Sequence, residues 1–306
     1  MYHITVSHYL VTLGDSVHWG QGLRREHKLH AIVEAELART DAGLVQHFLA
    51  HSGAIIGIGA TVARQRVDGE VPIAYPTLVQ QVEAFVGDPA NVVAVLVNGS
   101  INDIDIRNIL NPFVSQTALR AMIEEHSYDS MRALLELVLA RFGNPATRVI
   151  VTTYYPILSP VSRPFGVPFL LANEGLTLPS GIDPLAGTNI VVAKCMQFWQ
   201  ESTTALADAV AAANATLTAP RVFLADPGFT EDNAVFAGDP WLFGLANDPL
   251  LSPEDEVVAE RHAACDLAFP PADWAARQQC YRASAGHPNV KGARKYADAI
   301  LAALNG

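Results

Sequence analysis

Five short apolar runs punctuate the chain, at residues 9–13, 44–49, 92–97, 148–153 and 221–224. Each has the length of a strand. None alternates strictly between apolar and polar residues, and near-continuous runs are the signature of strands covered on both faces. Between the runs the apolar spacing becomes helical. Ala31, Ile32 and Ala35 mark one helix, and Leu78, Val82 and Phe85 a second. Residues 115–125 and 129–141 predict two more, and residues 193–215 a long alanine-rich one. Ala293, Tyr296, Ala297, Ile300, Leu301 and Leu304 form a last stripe with a 3.6-residue period. Strands alternating with helices predict an α/β fold, a parallel five-stranded sheet with helices on both faces.

Two segments break this rhythm. Residues 156–187 and 226–288 are rich in Pro and Gly and carry no clear period, and the second holds the Trp-containing patch 238–244. Loops of this length in a compact domain are uncommon and tend to be functional. They read as excursions over the carboxyl edge of the sheet that build a pocket wall, with surface decoration as the plainer alternative. No internal repeat or low-complexity tract divides the chain, so residues 1–306 read as a single domain.

Composition narrows the partners. Half of the 306 residues are apolar and 17% are charged, which suffices for a packed core. The formal net charge of −11 argues against a nucleic-acid binder, which needs a basic stripe to neutralise phosphates. It also argues against docking on anionic lipid. No apolar run approaches the roughly 20 residues of a membrane span. Residues 1–10 lack the basic and apolar regions of a signal peptide. The expectation is a cytoplasmic protein, or a secreted one whose signal has been removed. Three cysteines are too few for a disulfide scaffold. Cys265 and Cys280 either pair or remain two thiols, and Cys195 reads as a small core residue.

In an open parallel sheet ligands bind beyond the carboxyl ends of the strands, so the residues after each run matter most. They are Gly14-Asp15-Ser16, then Ser52-Gly53, then Asn98 through Asp103, then Tyr154-Tyr155-Pro156, then Asp226-Pro227-Gly228. Gly286-His287-Pro288-Asn289 precedes the last helix. Together they supply the parts of an acyl-transfer site. Ser16 stands where a strand turns sharply into a helix, which exposes its hydroxyl. A serine needs a base to remove its proton, and His287 can reach back over the sheet edge to do so. The Ser16 N–H, the Gly53 N–H and the Asn102 side-chain amide are candidate donors to an oxyanion. Taken singly, Gly-Asp-Ser is an ordinary turn, Asn102-Asp103 a helix cap and His287 a surface residue. Their common placement at strand ends favours chemistry.

His18 reads as a pocket-wall residue and not as the base. His47 and His51 lie on one predicted strand about 13 Å apart, too far to share a metal. Trp19, Tyr154, Tyr155, Trp241 and Phe243 are candidates for the substrate pocket, with core packing as the alternative.

In their order and separation, Gly14-Asp15-Ser16, Gly53, Asn102 and the terminal His287-Pro288 resemble the four blocks of the SGNH hydrolases, also called GDSL esterases and lipases. The resemblance runs from residue 9 to 304. It implies a flavodoxin-like three-layer α/β/α sandwich, Ser16 as nucleophile, His287 as base, and Ser16, Gly53 and Asn102 as oxyanion donors. It implies no metal and no organic cofactor.

Two departures stand out. The usual Gly-x-Asn-Asp is here Ser100-Ile101-Asn102-Asp103, with Gly99 one place early. The usual Asp-x-x-His is Ser284-Ala285-Gly286-His287, without the carboxylate. That acid normally holds the imidazole tautomer, and wrong-tautomer variants of the related triad lose about 10⁴ in rate. Three substitutes are open: a backbone carbonyl near residue 284 giving a Ser–His dyad, a carboxylate among Asp226, Asp266 and Asp273, or the Ser284 hydroxyl. The expected activity is hydrolysis of small-molecule carboxylic esters of short acyl chains through an acyl-Ser16 intermediate. Acyl transfer to a sugar or alcohol, and ligand binding without catalysis, are the rivals. Nothing in the sequence addresses oligomeric state.

Overall fold

The computed structural model describes residues 8–59, 69–181, 183–245 and 255–306. Most of the N-terminal segment read for a signal, and residues 246–254 of the second excursion, lie outside the described residues. The strands are β1 (His8–Thr12), β2 (Leu44–Phe48), β3 (Val92–Val97), β4 (Arg148–Thr152) and β5 (Val222–Ala225). They pair in parallel in the order β2-β1-β3-β4-β5. Leu10, Val11, Val95, Leu96, Ile150 and Val151 are wholly buried, as expected of strands sandwiched between layers.

The helices are α1 (Ser16–Trp19), α2 (Leu29–Leu37), α3 (Leu78–Glu83), α4 (Ile101–Ile104), α5 (Ile106–Leu110), α6 (Gln116–Ile123), α7 (Met131–Arg141), α8 (Val167–Asn173), α9 (Pro184–Asn214), α10 (Val258–Ala268), α11 (Trp274–Tyr281) and α12 (Val290–Asn305). The helices α2 and α12 pack together on one side of the sheet, and α3, α7 and α9 form the other layer. Local chemistry starts them where expected. Asn289 caps α12 by accepting from the N–H groups of Lys291 and Gly292, and Tyr296, Ala297 and Ile300 bury its apolar stripe. Reversal of strand order between β1 and β3 opens a crevice at their carboxyl ends, and the residues after both strands face it.

Three expectations need correction. The helix expected from residue 193 starts at Pro184, because Asp183 accepts from the N–H groups of Leu185 and Ala186 and proline suits a first turn. The two helices expected at 115–125 and 129–141 are joined by a π-helical stretch, Glu124–Ser130. The two excursions are not irregular throughout. The first contains α8, which has proline in its first turn, and the second contains α10 and α11. Cys265 and Cys280 form a disulfide joining α10 to α11. Cys195 is a buried free thiol whose pKa is pushed up to about 12 by burial. Among the described residues, no helix is long and apolar enough to cross a membrane.

Candidate active site

The chain leaves β1 through Leu13, Gly14 and Asp15 and enters α1 at Ser16. Asp15 is buried and caps this one-turn helix, its Oδ1 accepting from the Val17 N–H at 2.9 Å. Its Oδ2 accepts from the Tyr154 hydroxyl at 2.9 Å. The Asn98 amide, with its nitrogen turned toward this carboxylate, donates to Oδ1 at 2.6 Å. Desolvation raises the Asp15 pKa from 3.8 to about 6, with the hydrogen bonds from Val17 and Tyr154 acting the other way.

His287 lies between α11 and α12. Its carbonyl accepts from the Phe243 N–H at 2.7 Å, and its own N–H donates to the Ser284 carbonyl at 3.0 Å. So held, its Nε2 stands 2.7 Å from Ser16 Oγ. Burial lowers the His287 pKa from 6.5 to about 4, so the ring is neutral at pH 7. With Nε2 accepting from the hydroxyl, the ring proton belongs on Nδ1. Among the described residues Nδ1 is buried without a hydrogen-bond partner. The backbone of Ser284 and Ala285 favours the protonated ring but completes no hydrogen bond to that atom.

None of the four side chains named in place of the missing acid bonds to this ring. Asp226 accepts from the Gly228 N–H, Asp266 pairs with Arg277 and Tyr281, the Asp273 carbonyl accepts from the Arg277 N–H, and Ser284 is buried beside Gly22. The carboxylate whose charge favours protonated His287 is Asp255, which was not anticipated. Asp255 Oδ2 lies 2.5 Å from Arg261 Nη2, and both side chains are buried. The guanidinium opposes the carboxylate's effect on the ring. An acid in an irregular segment, far from the usual spacing, leaves no pattern by which to find it.

Gly53 and Asn102 border the same site. At Gly53 φ is +77°, and a Cβ there would stand 2.4 Å from the Ile73 nitrogen, so only glycine fits. Asn102 Nδ2 donates one hydrogen to the Ala54 carbonyl at 2.9 Å, which leaves the second unspent. The Asp103 carboxylate accepts from the Ile56 N–H, tying α4 to the loop that carries Gly53. Among the described residues, neither the Ser16 N–H nor the Gly53 N–H meets a protein acceptor. Ser100 holds the place of the usual glycine at φ +117°, and its hydroxyl lies 2.8 Å from that of Ser127 in the π-helical stretch. The displaced glycine thus leaves the left-handed backbone in place, with serine bearing it.

Ser16, Gly53, Asn102 and His287 all line one cleft of about 490 Å³. Ile101, Ile106, Leu110, Ile157 and Leu170 give it an apolar wall, and Asp105, Arg107, Glu174 and Arg282 are its charged members. Of the aromatic candidates, only Tyr155 lines it. Trp19 packs on Phe48 and donates to Glu70. Trp241 packs on Phe229 under Lys291 and Lys295. Phe243 is buried with Leu23 and Ala293, and Tyr154 is buried behind Asp15. His18 also stands behind the cleft, its Nδ1 donating to the Leu13 carbonyl and its Nε2 3.0 Å from Thr152 Oγ1.

No family model and no curated protein matches the chain. Solved structures to which it is similar include phospholipase A1 from Streptomyces albidoflavus, at 13% identity and a TM-score of 0.48 over 98% of this chain and 99% of that one. A lipase from a goat rumen metagenome aligns at 13% identity and a TM-score of 0.45, over 92% and 99% of the two chains. A carbohydrate acetylesterase from Sinorhizobium meliloti aligns at 16% identity and a TM-score of 0.38, over 72% and 85%. Each likeness concerns the overall course of the chain at low identity, so any chemistry assigned to the cleft rests on its own geometry.

Proposed function

We propose that the chain is a serine hydrolase of carboxylic esters, of the SGNH type, working through a Ser16–His287 dyad. The observation that carries this reading is the 2.7 Å approach of His287 Nε2 to Ser16 Oγ on the wall of an open cleft. A neutral imidazole at that distance takes the hydroxyl proton as Oγ attacks the ester carbonyl carbon. The carbonyl oxygen becomes an oxyanion, which the Ser16 N–H, the Gly53 N–H and the free Asn102 hydrogen stabilise. Collapse breaks the bond to the alcohol, and the leaving oxygen takes the proton from Nε2. Water then attacks the acyl-Ser16 ester by the same route, and Ser16 is regenerated.

Among the described residues no carboxylate bonds to Nδ1, so the charged ring relies on the backbone of Ser284 and Ala285, the charge of Asp255 being offset by that of Arg261. The apolar wall suits the acyl chain, and the cleft volume exceeds what an acetyl group needs. An ester series from acetate to palmitate reads the chain length that the wall selects.

A fluorophosphonate probe tests the reading, since only an activated serine reacts quickly. The native protein is expected to be labelled at Ser16 and to hydrolyse a p-nitrophenyl ester, and Ser16→Ala to do neither while remaining folded. Full hydrolysis by Ser16→Ala, or an unlabelled native protein, overturns it.

A further inference from the structure

Tyr154 follows β4 and is wholly buried, outside the cleft. Its hydroxyl makes two hydrogen bonds whose directions are fixed. The Ile101 N–H can only donate, and does so to the tyrosine oxygen at 3.1 Å. The single hydroxyl hydrogen therefore goes to Asp15 Oδ2, at 2.9 Å. Asp15 immediately precedes Ser16, and Ile101 immediately precedes Asn102. One oxygen atom thus lies between the turn carrying the nucleophile and the helix carrying the oxyanion amide.

Both carriers need outside support. Helices α1 and α4 have four residues each, and one isolated turn does not persist by itself. Asp15 caps α1. The residue before α4, Ser100, makes no side-chain cap and sits at φ +117°. The Ile101 N–H is one of the donors that a helix start leaves without an intrahelical acceptor. Its partner is the Tyr154 hydroxyl.

We propose that Tyr154 is a positioning residue that couples the placement of Ser16 to that of Asn102 through its bridge between Asp15 and Ile101. This rests on the dyad reading above. Removing the hydroxyl leaves α4 tied to the Gly53 loop by Asn102 and Asp103 but no longer to Asp15, so its placement relative to Ser16 loosens. An offset on the scale of 1 Å costs up to about 10² in rate. The ring itself stays packed on Phe198, and Asp15 keeps its bonds from Val17 and Asn98, so Tyr154→Phe leaves the surroundings filled.

The test is a double-mutant cycle on the full chain, with kcat and KM measured for p-nitrophenyl butyrate and folding followed by circular dichroism. The native protein, Tyr154→Phe, Asn102→Ala and the double variant are compared. Tyr154→Phe is expected to lower kcat by about 10–100-fold with KM within about twofold. In the Asn102→Ala background the same change is expected to cost less than about threefold, because the donor it places is gone. A purely structural role predicts losses that multiply. Asp15→Asn breaks the bridge from its other end, since Val17 and Tyr154 donate to different carboxylate oxygens and a carboxamide puts an acceptor at only one of those two positions, and the same coupling is expected if Tyr154→Phe does not fold. Multiplying losses, or unchanged kcat in Tyr154→Phe, overturn this inference while phosphonate labelling of the native protein still upholds the dyad. Absence of that labelling overturns both.

Discussion

Ser16 Oγ and His287 Nε2, 271 residues apart in the chain, meet at 2.7 Å. Each is delivered by a different end of the fold. The serine is pinned by the Asp15 cap at the start of α1, and the histidine by backbone bonds to Phe243 and Ser284 just before α12. Neither position depends on the other's side chain, which is the condition for a preorganised pair.

The same pair sets the pH response. The His287 pKa is lowered to about 4 because burial penalises the imidazolium. In the proposed dyad the base must be neutral, so activity is expected above that value and lost as pH falls through it. The acid limb of kcat/KM, which reports the free enzyme, is expected near pH 4 and well below the ordinary histidine value of 6.5. A limb at 6.5 or above contradicts a desolvated His287.

Asn102 already spends one amide hydrogen on Ala54, which aims the other. Asn102→Ala is expected to lower kcat by about 10²–10³, the scale of one oxyanion donor, with little change in KM. Steady-state kinetics decide the matter, and an effect confined to KM would assign Asn102 to substrate binding instead.

Arg261 is fully buried and neutralises Asp255, while its Nε donates to the Tyr281 carbonyl at 3.0 Å. Arg261→Met leaves a buried carboxylate alone and is expected to cost about 3–5 kcal/mol in urea unfolding. Replacing both partners, with Asp255→Leu added, is expected to restore most of that stability. In the single variant the uncompensated carboxylate favours the imidazolium, so the acid limb is expected to move to higher pH. A limb that does not move would separate Asp255 from His287.

The disulfide between Cys265 and Cys280 spans 15 residues and holds α11, whose Cys280 lines the cleft. A loop of that size corresponds to about 3 kcal/mol of stabilisation in the chain-entropy account. Thermal unfolding of Cys265→Ser/Cys280→Ser is expected to register a loss of that order, and unchanged stability would mean the helical hairpin holds itself.

The strands were legible because burial on both faces writes itself into consecutive residues, and α12 because its stripe repeats every turn. That Ser16, Gly53, Asn102 and His287 sit at strand ends or before a helix was legible because a turn or cap is a local event, and the fold brings all four to one cleft. What the fold alone decided lies between segments. Asp255, whose charge acts on His287, paired with Arg261 without the Asp-x-x-His spacing, and Trp19 and Trp241 turned away from the cleft that Tyr155 lines. Tyr154, read as a pocket aromatic, lies behind Ser16, bonded to Asp15 and Ile101. The physical reason is that periodicity and capping act between chain neighbours. Charge pairing and hydrogen-bond satisfaction act between whatever groups packing brings within about 3 Å, and no local pattern encodes which groups those are.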